Sequence, residues 1–372
     1  MPVTDPSPNG PPSRPAFAVL RNQRLQTLFL GLIAFALMLF LLVQARFILI
    51  ALVIAIILFS LTSEAISAIA RIRIGPAHIP NWLASIVALA LIAAALLWMS
   101  LMVVSQVNQV LAVALGYAER AQSAAAELFA WLGPRAETAI QDGVRAINLP
   151  SYLRSAAGQA TNILSMSVLI ILFVGFMFAE RVWFSTKLRR LMGGPDEAAR
   201  AEALIASIMH RVNRYLVVKS AVSAVTALLV WGIFRLAGLD LAVPVATLTF
   251  MLNFIPSVGS IVATLLAALV AFVQTGAPGV TLAVTLAATA VQFAIGNVLD
   301  PLLLGKTLRL SSFGIILSLA FWGAVWGVPG MFLAVPIMVA VMILCAQTEW
   351  LRPLAIMLSR EGLADEGPPR LG

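Results

Sequence analysis

From Leu241 to Leu299 the sequence contains no Asp, Glu, Lys, Arg or His, yet Asn253-Phe254-Ile255-Pro256-Ser257-Val258-Gly259-Ser260 interrupts it. Pro256 and Gly259 break a helix there and free backbone donors and acceptors. Polar backbone within an apolar phase is tolerated only where protein buries it or water lines it. The break is therefore a candidate solute-binding site. Asn253, Ser257 and Ser260 offer side-chain hydrogen bonds, and Gly259 admits close approach to the backbone. The competing reading is a packing kink around a tightly held water.

Three more polar residues follow. Gln292 and Asn297 stand near the end of the next apolar run, and Asp300 closes it just before Pro301. The two amides extend the candidate site. An ionisable residue at such a place can couple transport to a proton or Na⁺. The plainer reading of Asp300 is an interfacial cap before a proline. A second break, Trp326-Gly327-Val328-Pro329-Gly330, has fewer polar groups. Trp326, Pro329 and Gly330 read there as the tip of a structural hairpin. Glu64, with Ser60 and Thr62, reads as interfacial.

Other chemistries lack their residues. Cys345 is the one cysteine, and His78 and His210 lie far apart in loops with no metal-ligand spacing, so no metal site or cofactor is expected. Both histidines read as surface residues. No Gly-x-x-x-x-Gly-Lys-Ser/Thr phosphate loop, His-Glu-x-x-His helix or Gly-x-Ser-x-Gly elbow is present. An enzyme is not expected, and an ATP-driven pump would need its motor from another subunit.

These residues need elements to position them, and composition says which. Of 372 residues 61% are hydrophobic and 11% charged, with mean hydropathy +0.99. Soluble domains carry about 25% charged residues. So few charges cannot cover a water-facing surface but suit a lipid-facing one. The net charge of +8 is scattered over loops without interleaved aromatics, which fits topology-setting cytoplasmic loops rather than nucleic acid.

Apolar runs, taken as free of charge, mark spans at roughly 25–43, 47–61, 82–105, 162–179 and 215–234. Residues 1–24 read as a disordered cytoplasmic tail before the first three membrane helices, 25–105. A helical insert at 106–160 has balanced charge and should face outside. A membrane helix at 161–179 leads to a strongly basic helical insert at 180–214, expected to be cytoplasmic. Gly193-Gly194-Pro195 breaks the chain there. Asp196 could cap the helix that follows, with Leu204, Ile208, Val212 and Tyr215 on one face. Residues 215–348 form the C-terminal core and 349–372 a cytoplasmic tail.

The two interrupted segments, about 241–274 and 310–348, share one plan: two apolar halves, each read as shorter than a full span, around a Pro/Gly break. They are either discontinuous crossing helices or re-entrant hairpins. Either way both termini fall on the cytoplasmic side. The positive-inside rule favours hairpins, because they leave Lys306 and Arg309 inside. The expected fold is all-α: a polytopic membrane protein of about six to eight membrane helices with two broken or re-entrant segments.

Three strings add a resemblance: LNFIPSVGSIVA at 252–263, GNVLDPLLLGKTLRLS at 296–311 and FWGAVWGVPGMFLAVPIM at 321–338. Their order and spacing resemble the autoinducer-2 exporter family of bacterial membrane proteins, across nearly the whole chain. The resemblance implies a homo-oligomer in the inner membrane that exports autoinducer-2 or a similar small polar metabolite as a secondary transporter or facilitator. Some relatives are described as Na⁺(Li⁺)/H⁺ antiporters, which is the alternative function, with Asp300 as the ion-coupling candidate. Relatives usually carry a basic residue after the acid and proline, where this chain has Leu302. Asp300 would then lack its partner. Ser311 and Ser312 stand where relatives often have a proline. A non-transporting scaffold is the alternative from another class. The expected partners are a small solute and the lipid bilayer, not nucleic acid.

Overall fold

The computed structural model describes residues 14–71, 85–106, 149–304 and 310–360, together with 83, 109 and 362. Most of the outer insert, His78, Lys306 and Arg309 therefore lie outside the described residues. Among the described residues regular structure is helical, apart from one isolated antiparallel bridge between Leu310 and Ser359. Eight helices there are long and apolar enough to cross a membrane. A helix satisfies its own backbone in lipid. Hydroxyls follow the same rule on the helices: Thr281, Thr285 and Thr289 each donate to the carbonyl four residues earlier.

The chain divides into two units, Met1–Leu49 and Ile50–Gly372. The first holds α1, Arg14–Gln44. The tail expected to be disordered to residue 24 is thus helical from Arg14, because Arg14–Leu25 continues the register of the apolar run without a breaker after Pro15.

Helix α2, Arg46–Arg71, begins in the first unit and belongs to the second from Ile50; there it is followed by α3, Ser85–Gln106, and α4, Leu149–Met192. Ala51 and Ala55 of α2, Leu96 of α3, and Ile170 and Val174 of α4 form one core. Small side chains let these backbones approach closely. Ser100 and Ser167 share a buried 2.8 Å hydrogen bond between α3 and α4.

Helix α5 is Pro195–Leu236. The basic insert is helical: α4 runs into it and α5 runs out of it. The break falls at Gly193-Gly194-Pro195, as expected. Gly194 rather than Asp196 occupies the N-cap, and no side chain caps the helix. Pro195 fixes this register, because it is favoured at the first helical position. Asp196 and Glu197 lie in the first turn, where the helix dipole favours negative charge. Leu204, Ile208, Val212 and Tyr215 are all buried, so their face lies against protein.

The interrupted segments fold back on themselves. The first comprises α6, Ala242–Leu252, and α7, Val258–Thr275. Val245 of α6 shares a core with Ala267 and Ala271 of α7. The Asp240 N–H donates to Gln274 Oε1 at 3.0 Å, so both ends return to one level. The second comprises α10, Ser312–Trp326, and α11, Val328–Gln347. The Ser318 hydroxyl donates to the Ala334 carbonyl at 2.7 Å, which ties its arms together. Both are helical hairpins, with tips at the two Pro/Gly breaks. The halves are unequal, however. α7 and α11 have 18 and 20 residues, long enough to span, and only α6 and α10, with 11 and 15, are short.

Between the hairpins run α8, Pro278–Ala294, a π-helical turn, Ile295–Leu299, and α9, Asp300–Leu304. After the second hairpin comes α12, Arg352–Leu358. The Ser311 side chain caps α10 by accepting from the Gly314 N–H at 3.0 Å. That gives the serine a structural role at the helix start.

Candidate functional site

Helix α5 carries a buried polar stripe: Tyr215, Lys219, Ser223 and Thr226, spaced three or four residues apart and at most 3% exposed. That spacing puts them on one face. The reading of 215–234 as charge-free missed Lys219. Its Nζ donates to Asp300 Oδ2 at 2.8 Å, with the two side chains 4% and 22% exposed. Asp300 is therefore neither a bare cap nor unpaired. Its cation comes from another helix, while Leu302, where the resemblance implies a base, is 73% exposed.

One to two turns further along α5 lies the first break. Asn253 is 3% exposed. Its Nδ2 donates to Ser223 Oγ at 3.1 Å and to Thr226 Oγ1 at 3.4 Å. α5 and α8 run antiparallel, because Val230 and Phe234 share a core with Val284 and Ala288, while Lys219 meets Asp300. Eight residues back from Asp300 and seven on from Lys219 are both about 10–12 Å along a helix. Gln292 therefore stands level with Thr226. Thr249 lies one helical turn before Asn253. Gln292 Oε1 and Thr249 Oγ1 are buried without a partner among the described residues. An unsatisfied polar group in an apolar interior is costly, so each of these two oxygens calls for a water or a solute.

Other expected site residues sit differently. Asn297 is exposed, and its Nδ2 donates to the Phe293 carbonyl of its own helix at 3.0 Å. The π turn alters the helical register after Gln292 and separates the two amides. Ser257 is exposed with φ 60° and ψ −53°. The Val258 N–H bonds the Pro256 carbonyl at 2.6 Å around it. This is a γ-turn of the strained kind. The Ser260 carbonyl accepts from Thr264. Gly259 is buried, and a Cβ there would overlap the Leu252 carbonyl. Its smallness serves the hairpin's own close turn rather than the approach of a ligand.

At the second tip, a Cβ on Gly330 would overlap the Trp322 carbonyl. Trp326 is 5% exposed and its ring lies 4.5 Å from that of Trp322. Pro329 stands in the first turn of α11, where its missing N–H costs nothing. The hairpins also meet: Ile255 packs with Leu319 and Ala334, and Phe254 stacks on Phe332 at 5.7 Å.

Glu64, read as interfacial, and His210, read as a surface residue, make a second polar contact. Glu64 Oε1 lies 2.9 Å from His210 Nδ1, and its Oε2 accepts from Asn213 Nδ2 at 2.8 Å. Asn213 also donates to Ser60. This ties α2 to α5. A helical face plot of α5 would have placed Lys219 and Ser223 beside Tyr215, but their partners depend on tertiary packing.

The profile of the AI-2E transporter family matches residues 30–350. The chain is 32% identical over 209 residues to the AI-2 transport protein TqsA of Escherichia coli, covering 56% of this chain and 60% of the relative. It is 31% identical over 208 residues to a candidate transport protein of Borreliella burgdorferi, covering 56% and 57%. A similar protein of Haemophilus influenzae is 32% identical over 184 residues, 49% and 53%. The matched stretch thus spans between 53% and 60% of these relatives' length. With two packed hairpins at the two matching breaks and a family match over most of its length, the chain is a polytopic membrane protein of the AI-2E transporter family.

Proposed function

We propose that this chain moves a small polar solute across the bacterial inner membrane, exporting autoinducer-2 or a similar small polar metabolite as a secondary transporter or facilitator. The observation that carries this reading is the set of buried polar side chains Thr226, Thr249, Asn253 and Gln292, two of whose oxygens have no partner among the described residues. A neutral, hydroxyl-rich solute could supply the missing donors. The printed name of the Escherichia coli relative supports autoinducer-2 as the first cargo to test. Both hairpin tips abut, which gives the path two elements able to part. Ser257, Ser260 and Asn297 become rim residues in this scheme, and Trp326, Pro329 and Gly330 hold the second tip. The chain works as a homo-oligomer with both termini in the cytoplasm.

Cation–proton exchange at Asp300 has less support, because Lys219 already occupies one carboxylate oxygen. The test is flux of autoinducer-2 in proteoliposomes of the purified full chain. The expected result is saturable uptake that falls about tenfold or more in Asn253→Ala and Gln292→Ala, the loss of one or two hydrogen bonds to the moving solute. Flux of autoinducer-2 and of other small polyols no faster than in protein-free vesicles would sink the reading and favour a scaffold.

A further inference from the structure

Asp300 is the only acidic residue between Asp240 and Glu349. It is therefore the strongest attractor for a cation anywhere in the two hairpins and the helix between them. A carboxylate drawn away from water is stabilised by a positive charge beside it. Here that charge is covalent, at the end of Lys219, 2.8 Å away. The ammonium bears the same single charge as an alkali cation, and its stem keeps it inside α5's packed face.

The remaining surroundings are oxygen. Asp300 Oδ1 and the Tyr215 hydroxyl are buried and have no partner among the described residues. Tyr215 is 2% exposed and stands one turn before Lys219 on the same face of α5. The π turn ends at Asp300, whose N–H reaches back to the Ile295 carbonyl. Carboxylate, hydroxyl and carbonyl oxygens are the ligands that hard cations take. Lys219 thus sits where an ion would find a charged oxygen, one turn along α5 from the unpartnered Tyr215 hydroxyl.

We infer that Lys219 is the resident cation of this site: its ammonium fills the place beside Asp300 that Na⁺ or Li⁺ would take, and makes the chain independent of alkali cations. The residue decides ion specificity by pre-empting the ion. Removing its charge while keeping its stem should uncover an alkali-cation site made of Asp300, Tyr215 and nearby carbonyls. The inference concerns the ion site alone and holds whichever solute crosses.

Thermal melting of the purified full chain in detergent tests it, with NaCl, LiCl and choline chloride compared at equal ionic strength. Wild type should melt at one temperature in all three salts. Lys219→Met should melt lower in choline and regain about 5 °C, saturably, with Na⁺ or Li⁺. Lys219→Met/Asp300→Asn should lose that response. A Lys219→Met protein recovered folded only when Na⁺ or Li⁺ is present counts for the inference. The same variant melting alike in all salts, or recovered in none, overturns it. So does a Na⁺-dependent rise in wild type that Asp300→Asn abolishes. Solute flux plays no part in the readout, so its outcome is independent of the transport assay.

Discussion

Lys219 and Asp300 are 81 residues apart in sequence and meet at 2.8 Å, joining the middle of α5 to the end of the π turn. Breaking a buried pair by removing one partner costs about 3–5 kcal/mol, because the other charge stays desolvated. Asp300 is 22% exposed, which places this pair towards the lower end of that range. In Na⁺-free buffer, Lys219→Met and Asp300→Asn should each lower the melting temperature. The double variant should cost less than the sum of the two, since it leaves no charge behind. Additive losses by thermal melting would mean that the two charges are not coupled.

Asn253 shows a different balance. Its side chain is bonded to Ser223 and Thr226, so it is partly satisfied before any solute arrives. Hydrogen bonds between membrane helices contribute about 0.6 kcal/mol on average. Asn253→Ala should therefore lower stability by only about 1 kcal/mol, while flux falls about tenfold or more. Ser223→Ala should affect stability similarly and flux less, because Asn253 keeps Thr226. Equal losses of flux in both variants would mean that Asn253 acts only through its α5 contacts.

The breaks were legible because Pro and Gly act locally. Pro256 with Gly259, Gly193 with Pro195, and Pro329 with Gly330 each interrupt helix wherever the rest of the chain goes. That Leu204, Ile208, Val212 and Tyr215 share one face was legible from spacing, but spacing left open whether that face meets membrane or protein. Lys219 was not, because one charge in an apolar run looks like a flaw in a hydropathy window. Its meaning lies in a partner 81 residues on. The separation of Gln292 from Asn297 was hidden for another reason. A π turn adds a residue to the helical repeat, and composition carries no mark of it.

Hairpin geometry makes a topological prediction. Asp240 and Gln274 are hydrogen-bonded across the base of the first hairpin. In a Cys345→Ala background, single cysteines at positions 240 and 276 should react with a membrane-impermeant maleimide from the same side of intact cells. Cys345 is buried and is the one native cysteine, so the background change removes little reactivity. Labelling from opposite sides would show a crossing segment, and would move the loop with Lys306 and Arg309 to the other face.

The first tip holds strain that substitution can release or worsen. Ser257 is the one non-glycine with positive φ among the described residues. Strained backbone of this kind costs about 1–3 kcal/mol and persists only where surrounding structure imposes it. Ser257→Gly should raise the melting temperature, by an amount equal to about 1 kcal/mol. Two residues on, the opposite holds. Gly259→Ala would push a methyl into the Leu252 carbonyl, and backbone cannot rotate away as a side chain can. It should cost about 1–3 kcal/mol by overpacking. Gly296→Ala is the control, since a Cβ there meets nothing within 4 Å, and it should be neutral or slightly stabilising. If the strained γ-turn also sets the tip for solute passage, Ser257→Gly will melt higher yet transport more slowly. A variant that is both more stable and equally active would make the turn a folding feature alone.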